Sequence, residues 1–195
     1  MKGIKMIDQK KIQKSKEENV IVLDFLPHGN SQTKKSFKQI PLIQAIGTNR
    51  FSLLEIVPKP DVQVMPGDIL YVGEGKRDKV HHISGKLDYE KLTGNSQQEL
   101  TYAVEKIVGD NEKNFVEFYN KAQAIGLRRH ALELLPGLGK RYMWDIIEER
   151  EEKEFESFDN IKERIKAIPS PKQAIIKRII HELKEEEKFY LFVDK

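Results

Sequence analysis

Cysteine is absent from the 195-residue chain, which excludes disulfides, thiolate zinc sites, iron–sulfur clusters and cysteine nucleophiles together. Long apolar runs are absent as well. No stretch approaches the roughly 18 residues that span a bilayer, and the opening MKGIKMIDQKKIQKSKEEN holds no apolar segment for secretion. The expectation is therefore a cytoplasmic protein without a membrane partner. A large excess of one charge sign is missing too: 34 Lys and Arg stand against 31 Asp and Glu, a net charge of +3, so the total does not mark a nucleic-acid binder. What is plentiful is charge itself. One third of the residues are ionic and 38% are hydrophobic, the composition of a folded protein with a densely charged surface.

The charge is unevenly spread. Residues 1–95 hold 16 Lys and Arg against 11 Asp and Glu, whereas residues 96–195 hold 18 against 20, so a basic half precedes a mildly acidic one. Residues 1–18 carry six lysines and few large apolar side chains, too little to offset chain ordering, and read as a flexible basic arm. From Val20 short apolar runs alternate with turn residues: Val20–Leu26, Leu42–Ile46, Phe51–Val57, Asp68–Val72 and Val80–Ile83. Five such strands in about seventy residues suggest a small antiparallel, OB-like β-barrel over 19–92. Beyond Gly94 the period becomes helical. Two helices, split near Gly109–Asn111, form a connector over 93–126. A third helix is expected through Leu127, Ala131, Leu134 and Leu135, and three more follow it to complete an all-α unit over 127–195. The fold class expected is α+β.

The most specific motif is Leu134-Leu135-Pro136-Gly137-Leu138-Gly139-Lys140-Arg141. Glycines at 137 and 139 can adopt positive φ and leave the backbone bare. A helix starting at Lys140 presents free N–H groups and the positive end of its dipole, an anion site suited to phosphate. Lys140 and Arg141 add charge, and Leu138 plugs the core. This pattern resembles the helix-hairpin-helix family, and the resemblance implies contacts from Gly137, Leu138, Gly139, Lys140 and Arg141 to a nucleic-acid backbone, without sequence readout. Met143 departs from the small residue usual at that place. The plainer alternative is that Pro-Gly-Leu-Gly only terminates a helix.

Residues 157–187 repeat the arrangement, with Ser157 as a helix cap and a break at Pro169-Ser170-Pro171-Lys172. Helix-hairpin-helix units often come in pairs, which implies a tandem domain over 127–195. Two prolines remove donors from the second break, which leaves Lys172 as its charge contact. On an open barrel face, Lys34, Lys35, Arg50, Lys76 and Arg77 are the basic candidates, with Phe37, Phe51, Tyr71 and one of His81 or His82 beside them. Since successive strand residues point to opposite faces, only one of the two histidines is expected on a given surface. Gly73-Glu74-Gly75 reads as a tight β-turn more simply than as a phosphate cradle.

The Pro27-His28-Gly29 turn, the Pro66-Gly67-Asp68-Ile69-Leu70-Tyr71-Val72-Gly73 strand and the paired hairpins together resemble an uncharacterised archaeal domain-of-unknown-function family of predicted RNA- or nucleotide-binding proteins, over residues 19–190. Glycosylase, nuclease and nucleoside-triphosphatase signatures are incomplete: Asp159 reads as part of a helix start, the five histidines show no ligand spacing, and Lys34 stands where a phosphate loop needs glycine. The sequence thus favours a binding module over an enzyme, with nucleic acid as partner, RNA before DNA, and no cofactor or metal. The alternatives are a protein-docking scaffold in a ribosomal or transcription complex and a helix-hairpin-helix DNA repair enzyme. Oligomeric state stays open.

Overall fold

The computed structural model describes residues 17–29 and 40–194. Five antiparallel strands, β1 (Asn19–Leu26), β2 (Leu42–Gly47), β3 (Leu53–Pro58), β4 (Ile69–Tyr71) and β5 (Val80–Lys86), form one sheet in the order β4-β1-β2-β3-β5. The sheet curls. Leu70 and Val72 at one edge and Val80 at the other share a buried cluster with Val20, Val22, Ile43, Ala45, Leu54 and Ile56, which a flat sheet would hold apart. The result is a half-barrel with β4 and β5 as its edges.

Alternation along the strands gives the sheet a second buried face. Ile21, Leu23, Ile46 and Leu53 point away from the half-barrel and join the helical core, together with Leu100, Val104 and Ile107 of α1 (Gly94–Asp110). Gln44 lies on this face with no exposed surface. Its Oε1 accepts from the Thr93 amide at 2.9 Å and the Ser96 hydroxyl at 2.7 Å, and its Nε2 donates to the Lys91 carbonyl at 3.0 Å. A buried amide costs little only when so satisfied. Thr93 caps α1 by accepting from the Ser96 amide and donates its hydroxyl to Asp24 of β1, so the helix start is pinned to the sheet. The core that α1 builds with β1 and β2 thereby runs across residue 92.

α2 (Glu112–Lys121), α3 (Lys140–Glu152), α4 (Phe158–Arg164) and α5 (Pro171–Lys184) complete the helices. The helix expected through Leu127–Leu135 does not form. A short β-hairpin, β6 (Ala124–Gly126) with β7 (Arg129–His130), and one 3-10 turn over Ala131–Leu134 take its place. The i, i+4, i+7 spacing of Leu127, Ala131 and Leu134 mimics a helix, but Leu127 is fully exposed and contributes nothing to a buried stripe. The first of the two expected helical hairpins therefore lacks its leading α-helix.

Two buried carboxylates close the structure. Glu17 accepts from the amides of Asn49, Arg50 and Ser52, pinning the β2–β3 turn in which Phe51 has φ +56°. Glu182 accepts from Arg178 Nε at 2.7 Å and from the amides of Leu191, Phe192 and Val193 at 2.8–3.0 Å. Asp194 then meets Arg50 Nη1 at 2.9 Å. Charge-assisted bonds of this kind hold the segment after α5 against the β2–β3 turn.

Candidate functional site

The hairpin at 135–140 is built by short-range bonds. The Leu135 amide donates to the Leu132 carbonyl and the Leu138 amide to the Leu135 carbonyl at 3.0 Å. Gly137 has φ +87°, a region that disfavours any residue with a β-carbon. Leu138 is 2% exposed, the expected core plug. Gly139 is the N-cap of α3 and supplies no side-chain acceptor. The Met143 amide reaches the Gly139 carbonyl, so the amides of residues 140–142 precede the helix's own bonding pattern. A β-carbon at Gly139 would meet nothing within 4 Å, which leaves the helix start open to solvent.

Around this opening stand two exposed cations. Lys140 is exposed, and Arg141, with an 80% exposed side chain, lies 3.9 Å from Asp145, a contact weak enough to yield to a stronger anion. Tyr142 donates its hydroxyl to the Ala167 carbonyl at 2.7 Å, tying the hairpin to the break before α5. Trp144 is one turn along from Lys140 and 63% exposed rather than packed against the hairpin. Met143 is buried and takes the packing role.

The remaining basic candidates separate from this opening. Lys172 sends its amine to Gly109 in the last turn of α1, where a cation offsets the negative end of the helix dipole. Arg50 is held by Asp194, and Arg77 Nε donates to the Gly73 carbonyl at 2.9 Å. With Lys86 they border a cleft of about 300 Å³ that also contains Glu17, Glu74 and Asp194, and no hairpin residue lines it. Lys76 is exposed. Lys34, Lys35 and Phe37 lie outside the described residues. Phe51 is core, and Tyr71 is 40% exposed with its hydroxyl accepting from the Gly75 amide. A β-carbon at Gly73 would stand 2.4 Å from that hydroxyl, so the glycines of this turn serve Tyr71 packing.

The family model described as protein of unknown function (DUF655) matches residues 16–194. The chain belongs to this family. It is 44% identical over 187 residues to uncharacterized protein MJ0038 of Methanocaldococcus jannaschii, covering 94% of this chain and 83% of that one. The crystal structure of Af1531 from Archaeoglobus fulgidus, of the same DUF655 designation, is similar at a TM-score of 0.83 and 42% identity, covering 91% of this chain and 100% of that chain. These archaeal relatives accord with the expected uncharacterised archaeal family of unknown function.

In this DUF655 chain the expectation about the paired histidines fails. His81 and His82 place their Nδ1 atoms 2.7 Å apart. The pairing of β3 with β5 shifts between Val57 and Pro58, opposite His82 and Val80, so His81 is the extra residue of a bulge. A bulge breaks the alternation that would separate neighbours. Among the described residues no group of three or more His, Asp or Glu is placed to hold a metal ion, and no helix is long and apolar enough to cross a membrane.

Sequence reasoning overlooked the residues that set the hairpin's entry. His130 Nδ1 accepts from the Leu132 amide while Glu133 accepts from the His130 amide at 2.8 Å, a reciprocal cap. Burial, reinforced by the nearby Arg150 guanidinium, lowers the His130 pKa below its ordinary value, in keeping with an acceptor that must stay neutral. Arg128 and Arg129, just before it, are exposed. Their only sequence signal was a Gly-Leu-Arg-Arg run absorbed into a supposed helix.

Proposed function

We propose that this chain is a nucleic-acid-binding module of the cytoplasm, not an enzyme, that grips RNA in preference to DNA by its phosphate backbone at residues 137–141 without reading sequence. The observation that carries this reading is the start of α3: an uncapped, unobstructed helix N-terminus with Lys140 and Arg141 exposed beside it. Helix amides and flanking cations bind phosphate oxygens independently of base identity. Trp144 supplies an exposed aromatic within one helical turn, suited to stack on an unpaired base. The half-barrel, read as OB-like, adds Arg50, Lys76 and Arg77 as a secondary basic surface, and Lys34, Lys35 and Lys172 contribute charge.

The test is a titration of the full chain with single-stranded and duplex RNA and DNA at several salt concentrations, followed through its single tryptophan. Binding is expected to quench Trp144, and log K to fall with log salt by about 0.7 per phosphate contacted on a single strand. Gly139→Val, whose side chain meets only solvent at an ordinary φ of −76°, should cover the amides and weaken binding about tenfold. Affinity equal to wild type in this variant would overturn the reading.

A further inference from the structure

The β6–β7 hairpin carries a feature that its own folding does not require. Gln123–His130 makes a two-residue turn at Leu127 and Arg128. Such turns favour Gly, Asn, Asp or Ser, which fit tight backbones and face water. Leu127 instead places a whole aliphatic side chain in solvent, at 107% relative exposure the most exposed large hydrophobic among the described residues. Neither Leu127 nor Arg128 has positive φ, and the shift of register at Ile125 absorbs the strand twist in its place.

The cations at this tip are also unlike the others. Of the eight arginines in the chain, Arg50, Arg77, Arg141, Arg150, Arg164 and Arg178 each have a carboxylate or carbonyl partner. Arg128 and Arg129 have no carboxylate of the described residues within 4.0 Å. No acidic residue occurs from Ala122 to Leu132. The stem beneath is firmly seated. Ala122 and Ala131 are buried, Ile125 packs on the helical core, and the Ala131 amide donates to the Gln123 carbonyl at 3.0 Å. A rigid stem with an apolar, doubly cationic tip loses little freedom when it binds.

We propose that Leu127, Arg128 and Arg129 form a second nucleic-acid contact, in which Leu127 wedges between bases where a paired stem ends and the two guanidiniums take the flanking phosphates. This rests on the nucleic-acid reading above but not on the 137–141 hairpin. Apolar wedges flanked by cations are a recurring means of opening a base step. Opening is least costly where stacking is already interrupted, so the ligand is a stem–loop or other junction rather than a continuous duplex. The two arginines suit phosphate by charge and by their planar donor geometry.

The experiment uses the full chain and an RNA stem–loop carrying 2-aminopurine, either at the junction or in mid-stem, whose emission rises on unstacking. Wild type should raise emission at the junction only. Leu127→Ser, compatible with the turn, should abolish that rise while still binding within about threefold. Arg128→Gln with Arg129→Gln should weaken binding about tenfold and flatten its salt dependence. Vesicles of phosphatidylcholine and phosphatidylserine are a separate arm. A junction signal unchanged by Leu127→Ser, or RNA affinity unchanged by the arginine pair, overturns the wedge. An Arg128→Gln with Arg129→Gln variant that loses vesicle binding but keeps wild-type RNA affinity overturns it in favour of a membrane surface. If Gly139→Val weakens RNA binding while the arginine pair does not, the wedge falls and the 137–141 site stands. If the arginine pair weakens RNA binding and Gly139→Val does not, the wedge stands alone. No RNA binding by wild type removes both.

Discussion

The breaks before α3 and before α5 share a backbone path and differ in chemistry. In each, a left-handed residue follows a helical turn, Gly137 at φ +87° and Ala167 at φ +62°. In each, the next residue is a buried aliphatic, Leu138 or Ile168, whose amide donates three residues back, to Leu135 or Ile165. The two breaks touch: a side chain on Gly137 would lie 3.6 Å from the Pro169 ring. After this common trace they diverge. The first ends on a bare Gly139 with no side-chain cap, whereas the second inserts one more residue and ends on Ser170, which accepts from the Gln173 amide, followed by Pro171. Its donors are missing or used, since Pro169 and Pro171 have no N–H and Ser170 takes the Gln173 amide; Tyr142 occupies the Ala167 carbonyl, and Tyr119 adds a second donor to the Pro171 carbonyl. Shape alone therefore does not decide which backbone groups a break leaves open. What separates the breaks is whether the backbone donors and acceptors have already been used.

The largest effect that would sharpen this contrast is at Tyr119. Burial pushes its phenol far above the usual value, so the hydroxyl remains a donor to Pro171 throughout the accessible range. Tyr119→Phe should remove the second donor of a carbonyl that the helix already engages and cost about 1.5 kcal/mol in denaturant unfolding, while nucleic-acid affinity stays at the wild-type level. Exchanging the left-handed residues comes next. Gly137→Ala should cost about 1–2 kcal/mol, and Ala167→Gly should gain up to about 1 kcal/mol, as read by thermal melting. Loss of stability from both substitutions would break the equivalence of the two traces.

The smallest effect lies at the entries. Ser157 caps α4 with a hydroxyl that does not titrate, accepting from the Asn160 amide at 3.0 Å, whereas His130 caps the turn before the first break with a neutral imidazole. Because folding depresses the His130 pKa, its stabilisation is complete above the unfolded value near 6.5 and declines as pH falls below it. His130→Ala should cost about 1 kcal/mol at pH 8 and flatten the loss of stability between pH 7 and 5. A slope as steep as that of wild type would assign the pH dependence to other groups.

Much of the framework was legible because its residues obey one period at a time. Val20–Leu26 and Leu42–Ile46 are short apolar runs, buried on both faces, and form strands; Leu100, Val104 and Ile107 recur at helical spacing and form α1. The Pro-Gly-Leu-Gly-Lys turn announced itself, and Leu138 fell into the core. Leu127–Leu135 misled because helical spacing there was produced by residues in three environments: a solvent tip, a 3-10 turn and the core. The bulge at His81, the buried bonds of Gln44 and the cap from His130 had no local signature. Each depends on a partner strand or a helix end that the sequence does not place beside it. The basic surface could be counted but not mapped, since the anchoring of Arg50 by a residue 144 positions away is invisible in order of sequence.

The Glu182 carboxylate gives the molecule a timetable. The positions of Leu191, Phe192 and Val193 depend on Glu182 and Arg178 of α5, and Asp194 closes on Arg50 across most of the chain's length, so folding kinetics are expected to place this segment after α5. A contact of such long range forms late, when the loop it closes has already been shortened by other structure. The same pins make these amides open as a unit, so their hydrogen exchange should slow together and report the last act of folding.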